Sequence, residues 1–89
     1  DKTGLGIDIP DGSVLLAREI KRELWYNLHR TDLGQIYITK KGIWHKDFKS
    51  YDMGTGEITL SSRNKKHKDF KVSINDIYQI FNVIKIKKQ

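Results

Sequence analysis

The sequence has no cysteine, a single proline and no apolar run long enough to span a membrane. The missing cysteines exclude disulfide bonds and thiolate zinc sites. A signal-peptide pattern is also absent, and together these absences are consistent with a cytoplasmic protein that makes no membrane contact. With 89 residues, 37% of them hydrophobic, the chain has the length and composition of one small globular domain. We therefore predict a single domain over 1–89.

Motifs for metals and cofactors are missing as well. The three histidines, His29, His45 and His67, are far apart and lack the paired spacing of metal ligands. The glycines of TGLGID are followed by a proline and not by a helix, so they do not form a phosphate-binding fingerprint. This stretch is predicted to be a flexible loop. We predict no metal, no cofactor and no small-molecule ligand.

Negative charge is scarce relative to positive charge. The chain has 17 Lys and Arg against 11 Asp and Glu, for a net charge of +6. Basic residues surround Phe70 and end the chain: Arg63, Lys65, Lys66, His67, Lys68 and Lys71, then Lys85, Lys87 and Lys88. An aromatic ring among cations is typical of surfaces that bind single-stranded nucleic acid. The pattern alone favours a second interpretation, a solvated basic loop.

Alternating apolar residues predict strands in the second half of the chain. QIYIT (35–39) and IWHKDF (43–48) flank a tight turn at 40–42, which indicates a β-hairpin over 35–48. A turn containing Gly54 and Gly56 leads to a predicted strand at 57–62, and a polar loop follows. The segment 74–88 is rich in β-branched residues, so we predict mainly strand, with a bulge that shifts its phase.

The segment 13–29 is ambiguous. Apolar residues recur every four positions at Leu16, Ile20, Leu24 and Leu28. The Ala, Arg, Glu and Lys residues around them favour helix, so the local pattern alone predicts one long helix. The rest of the chain indicates a mainly β domain of five or six strands, in a small barrel or folded sheet.

The stretch GIWHKDF contains the most unusual candidate residue. A two-residue period places Trp44, Lys46 and Phe48 on one face of the strand, and Ile43, His45 and Asp47 on the other. A lysine kept dry between aromatic rings loses its proton more readily and can act as a base toward a serine. The pattern alone favours the alternative, in which the lysine lies over aromatic faces with its ammonium in water.

Four segments together resemble a known family. IPDGSVLLARE resembles the strand that follows the nucleophile in the LexA and phage-repressor self-cleaving family. GIWHKDF resembles the strand that carries the catalytic lysine of this family. ITLSSRN resembles the family's L-x-S-x-N strand and turn, and DIYQIFNVIKIKK resembles its closing strands. TGLGIDIPDG is similar to a DGTG-like loop in a subgroup of phage-repressor-like regulators. The order and spacing match over nearly the whole chain.

The resemblance implies a mainly β fold with at most one short helix, like that of UmuD and the bacterial signal peptidases. It implies that SVLLARE is a strand, followed by a short helical turn near Lys21 to Trp25, against the long-helix pattern. It also implies that Lys46 is the general base of a serine–lysine dyad. The attack would fall on a peptide bond of the chain's own upstream linker, and backbone N–H groups would stabilise the oxyanion.

The sequence departs from the family at the nucleophile. The family's serine lies in a Ser-Met pair that would fall just before residue 1, and Thr3 is the only hydroxyl nearby. We therefore expect a longer parent protein that supplies the serine, the cleaved linker and a DNA-binding domain, and we expect this chain to be inactive alone. Asn64 is followed by Lys65 where the family often has proline, which concerns the shape of the loop.

Three functions follow as hypotheses. The first is the regulatory core of a repressor-like transcription factor that cleaves itself. The second is the same fold used only for dimerisation, through the C-terminal strand at roughly Phe81 to Lys88, because an exposed apolar edge strand is a pairing surface. The third is a small basic β-barrel that binds nucleic acid directly, with strongly salt-dependent affinity.

Overall fold

The computed structural model describes residues 4–8, 13–63 and 66–88. These residues contain seven strands: β1 Gly4–Asp8, β2 Ser13–Ile20, β3 Gln35–Thr39, β4 Gly42–Asp52, β5 Glu57–Ser62, β6 Phe70–Ser73 and β7 Ile77–Lys88. They also contain two 3₁₀ helices, Arg22–Asn27 after β2 and Ile74–Asp76 after β6. The predicted mainly β class is confirmed, with one more short helix than expected.

All paired strands are antiparallel and form one open sheet in the order β1-β2-β7-β3-β4-β5-β6. The last strand, β7, therefore lies between β2 and β3. Among the described strands, β7 is the one that pairs both with the β1–β2 pair and with the meander β3 to β6, so the C-terminal segment joins the two parts of the sheet.

The segment 13–20 is a strand and not the start of a long helix. Leu15 and Ala17 are fully buried while Leu16 between them is 37% exposed, which is the two-residue period of a strand. Pairing with β1 on one side and β7 on the other satisfies its backbone. The long-helix pattern was wrong because tertiary pairing overrides propensity. The strand and short helical turn implied by the resemblance are confirmed.

The glycines near the N-terminus lie in a strand. The residues GLGID form β1 and pair with β2 from Gly4↔Arg18 to Asp8↔Val14. The flexible loop predicted for this stretch was therefore wrong over 4–8, because a neighbouring strand supplies partners for its backbone. The turn predicted at 10–12 and the hydroxyl of Thr3 lie outside the described residues.

The predicted hairpin and the strand at 57–62 are confirmed, with two additions. The second hairpin strand, β4, continues to Asp52, four residues beyond the predicted end. The strand β6 after the basic loop was not predicted, because only four residues, FKVS, separate that loop from a 3₁₀ helix.

The sheet carries a hydrophobic core on each face. The larger core contains Trp25, Tyr37, Ile58, Leu60, Val72, Ile77 and Ile80. The smaller core contains Leu15, Ala17, Ile36, Phe81 and Val83. The first 3₁₀ helix covers the larger core with Trp25, whose indole Nε1 donates to the carbonyl of Ile20 at 2.9 Å. Both faces of the central strands are thus kept from water.

The strand β7 contains the phase shift predicted from its sequence. Ala17 pairs with Val83 and Leu16 with Lys85, so Ile84 is the extra residue of a β-bulge. The bulge lets Phe81, Val83 and Ile86 contact the same smaller core despite their irregular spacing.

Candidate functional site

Lys46 lies in a row of polar residues that crosses the sheet. Gln35 of β3 pairs with Lys46 on one side and with Asn82 of β7 on the other. Lys46 pairs in turn with Ser62 of β5, and Asn82 pairs with Arg18 of β2. Cross-strand partners project from the same face, so these five residues form one polar row beside the larger core.

The aromatic environment predicted around Lys46 is present. Trp44 and Phe48, two residues to either side, pack against the larger core as the two-residue period requires. The Lys46 side chain is half-buried, and its Nζ lies 5.1 Å from the centroid of the Phe70 ring. The Phe70 ring also meets Trp44 edge to face, with centroids 4.7 Å apart.

This geometry has features of both interpretations of Lys46, as a base kept from water and as a charged amine resting over an aromatic ring. The flanking rings limit its contact with water, as a base requires. The Phe70 face attracts the charged ammonium, as a resting lysine requires. To act as a base, Lys46 would have to release a proton and move its amine away from Phe70. The sequence could not identify this ring, because Phe70 is 24 positions away on a strand that was not predicted.

The buried side-chain amide of Gln35 lies next to Lys46 in the same polar row. The Gln35 side chain is 1% exposed, and its Nε2 donates to the carbonyl of His29 at 3.0 Å. Weaker contacts at 3.4 Å join the same nitrogen to Thr31 Oγ1 and Asn82 Oδ1. The Gln35 Oε1 is buried and has no hydrogen-bond partner among the described residues. Sequence reasoning missed this amide, whose only signal is a polar residue at the start of an apolar strand.

A cavity of about 240 Å³ opens beside the side-chain amide of Gln35. Ile20, Leu24 and Leu28 form its apolar wall, and Gln35 and Asn82 form its polar side. It lies under the first 3₁₀ helix and the loop that follows.

The opposite face of β4 holds a buried ion pair. The Asp47 carboxylate is 7% exposed and accepts from Arg63 Nη1 at 2.7 Å, with Arg30 Nη2 at 3.8 Å. Arg63 also donates to the carbonyl of Asp32, and His45 Nε2 donates to the carbonyl of Leu33 at 2.7 Å. These contacts fix the loop before β3 to the back of the lysine strand.

Gly34 permits this loop to approach β4. Its φ is +76°, in the left-handed region that favours glycine. A Cβ at this position would lie 2.9 Å from the carbonyl oxygen of Lys46 and 2.9 Å from Arg63 Nη1. Only a residue without a side chain fits between the loop and the backbone of Lys46.

Burial also affects a phenol in the larger core. Loss of hydration raises the pKa of Tyr37 far above its ordinary value, and the negative charge of Asp47 raises it further. The Tyr37 hydroxyl has no hydrogen-bond partner among the described residues. It therefore stays neutral and has no acid–base role near neutral pH.

The basic loop is exposed where the structure describes it. Lys66, His67, Lys68 and Lys71 are all exposed, as expected of a solvated loop, whereas Arg63 differs in that it pairs with Asp47. Asn64 and Lys65 lie outside the described residues. Asp69 accepts from Lys49 Nζ and from Ser61 Oγ, and these two hydrogen bonds lower the pKa of its carboxyl.

The three histidines stay apart in the fold. His45 faces the loop at Leu33, His29 Nδ1 lies 3.2 Å from the carbonyl of Asn27, and His67 is exposed in the basic loop. Within the described ranges, no three His, Asp or Glu side chains converge in a way that could hold a metal ion. Across the same residues, no helix combines the length and the apolar character needed to cross a membrane.

Comparison with known proteins gives no family. No protein-family model matches the sequence. No curated protein and no solved structure matches the chain either.

Proposed function

We propose that this chain is the regulatory and dimerisation core of a phage-repressor-like transcriptional regulator, whose full-length form cleaves its own linker with a serine–lysine dyad. The observation that carries the proposal is the position of Lys46: mid-strand, between Trp44 and Phe48, with its amine against Phe70 and Ser62 directly across. The family resemblance leads us to expect the first part of this arrangement, a lysine flanked by two apolar residues on its strand; the contact with Phe70 is an addition that the lysine would have to leave in order to act as a base. The proposal places the serine just upstream of residue 1.

The chemistry assigned to Lys46 is proton transfer. Its neutral amine would accept the proton of the serine hydroxyl as the serine oxygen bonds to the scissile carbonyl carbon. The resulting ammonium would return that proton to the leaving amine when the peptide C–N bond breaks. Water would then hydrolyse the ester with the same lysine as base.

The test of the dyad is intact mass against time for the parent protein, including the upstream Ser-Met position and linker, at mildly alkaline pH. We expect two fragments that appear with first-order kinetics independent of protein concentration. Lys46→Ala should reduce the rate at least a hundredfold, because general-base catalysis is lost.

The matched control is Lys49→Ala. Lys49 lies on the same strand, but its side chain is 58% exposed and pairs with Asp69. The Lys49→Ala protein should cleave itself at the rate of the unaltered protein. A stable parent protein, or equal rates for Lys46→Ala and Lys49→Ala, would contradict the dyad.

A second observation supports dimerisation through β7. Residues 80–82 of this strand pair with both β2 and β3, so Phe81 and Asn82 lie inside the sheet. From Lys85 to Lys88, only β2 pairs with the strand, and no other described strand occupies its second edge. We propose that this edge pairs with its copy in a second chain.

Sedimentation measures this pairing directly. We expect a dimer at high micromolar concentration, and Ile84→Lys, which places a charge at a 44% exposed position of the bulge, should raise Kd at least tenfold. Ile43→Lys on β4, 60% exposed, is the control and should leave Kd unchanged. A monomer at high micromolar concentration would contradict the proposal.

A further inference from the structure

A second cleft lies between the β3–β4 hairpin and β6, away from the cavity beside Gln35. Its volume is about 310 Å³, at the lower end of the range for ligand sites. Two aromatic rings line it, Trp44 and Phe70, together with the side chains of Lys41, Lys71 and Asp76. The proposed dyad uses Trp44 and Phe70 only as neighbours of Lys46 and assigns no role to the open side of the cleft.

The fold holds the two walls of the cleft in place. The amide of Lys40 at the hairpin donates to the carbonyl of Asp76 at 2.9 Å, which joins the hairpin to the 3₁₀ helix after β6. That helix is capped by Ser73, whose Oγ accepts from the amide of Asn75. Trp44 and Phe70 contact each other edge to face on one wall of the cleft, with 87° between their planes. The aromatic lining is thus built from secondary structure.

The charges around the cleft favour an anion. Lys41 is exposed, and the Lys71 side chain is 65% exposed although its Nζ forms an ion pair with Glu57 Oε1 at 3.8 Å. The amine of Lys46 lies over the Phe70 ring itself. Among the described residues of the lining, Asp76 is the single acidic one, and exposed cations of the basic loop precede Phe70 in the chain, with Asp69 between them.

Aromatic rings beside lysines match the chemistry of a nucleotide. A base stacks on a ring, and its phosphates pair with the cations. We propose that this cleft binds one base of single-stranded nucleic acid, with Trp44 as the stacking ring, Phe70 as the residue that holds it in place, and Lys41 and Lys71 at the phosphates. An aliphatic ligand would use the rings but leave the lysines without a role.

The test titrates the full chain with a fluorescein-labelled oligo(dT) twelve-mer at low salt and follows anisotropy. Unlabelled oligo(dT) is followed separately by tryptophan emission. The chain has two tryptophans, and Trp25 is only 3% exposed, so quenching on binding reports Trp44. We expect saturable binding with quenching, and an affinity that falls with salt.

Variants separate the cleft from unspecific charge. Trp44→Leu and Phe70→Leu should each weaken binding at least fivefold, and Phe70→Leu remains informative if Trp44→Leu fails to fold. Lys41→Gln with Lys71→Gln should weaken binding and reduce the salt slope by about 0.7 per lysine. The control, Lys85→Gln with Lys87→Gln, removes the same charge from β7 and should have a much smaller effect.

Three outcomes would overturn the proposal. One is no binding of oligo(dT) at millimolar concentration and low salt. Another is equal loss of affinity for the two double-lysine variants with no effect of Phe70→Leu, which would mean unspecific attraction to a basic protein. The third is equal affinity for dTMP and oligo(dT), which would replace the strand by a free nucleotide.

Discussion

Tyr37 illustrates at the scale of one residue how burial and hydrogen bonding conflict. Its ring fills the larger core at 0% exposure, yet its hydroxyl has no partner among the described residues. An unpaired buried hydroxyl costs free energy because water no longer solvates it. The aromatic ring offsets that cost by packing.

We therefore expect Tyr37→Phe to stabilise the protein. The change removes only the unpaired hydroxyl and should raise the free energy of unfolding by about 1 kcal/mol. Urea denaturation at pH 7 measures this change, with Tyr26→Phe, at a 65% exposed position, as a neutral control. A loss of stability in Tyr37→Phe would mean that the hydroxyl has a partner.

The surroundings of Lys46 could be predicted from the sequence only in part. Its flanking aromatics could be recognised from a two-residue period, and the structure places both against the larger core. Its Phe70 contact and its row of polar neighbours could not be recognised. Gln35, Asn82 and Ser62 reach it through strand pairing across gaps of 11 to 36 positions, and local patterns carry no information on such pairing.

At the scale of one element, the bulge in β7 decides which residues face the smaller core. Ile84 is unpaired in register, while Val83 and Ile86 both contact that core. Removing the bulged residue would join Val83 directly to Lys85 and preserve every pairing and every face. Removing a paired residue would instead move the remaining residues to the opposite face.

We therefore expect two single deletions in β7 to change the free energy of unfolding by different amounts. Deletion of Ile84 should change the free energy of unfolding by less than about 1 kcal/mol. Deletion of Ile86 should lower it by about 2 kcal/mol, because Lys87 then lies opposite Leu15 and faces the core. Urea denaturation of both proteins tests the prediction, and equal losses would contradict the assignment of the bulge.

At the scale of the whole molecule, the burial of Tyr37 in the larger core makes the stability of the fold depend on pH. Folding raises the pKa of this phenol above its ordinary value near 10. The stabilising effect of the neutral phenol is therefore complete below about pH 10 and is lost as the pH rises further.

We expect a stability loss above pH 10 that Tyr37→Phe lacks. The difference between the unaltered protein and the variant should change by up to about 1.4 kcal/mol per pH unit in that range. Urea denaturation between pH 9 and 11 measures it, and subtraction cancels the lysines that titrate in the same range. Parallel pH curves for the two proteins would mean that folding leaves the pKa of the phenol unchanged, and would contradict the prediction.

The sequence by itself determined the mainly β class, the hairpin at 35–48, the strand at 57–62 and the amphipathic face that carries Lys46. Each depends on a two-residue alternation or on a turn that nearby residues specify. The tertiary structure decided that 13–20 is a strand, that 4–8 pairs with it and that β7 is central. These outcomes depend on pairings such as Ile20↔Ile80, in which residues far apart satisfy each other's backbone groups. Both cavities and the contact of Lys46 with Phe70 follow from those pairings, so only the folded chain reveals them.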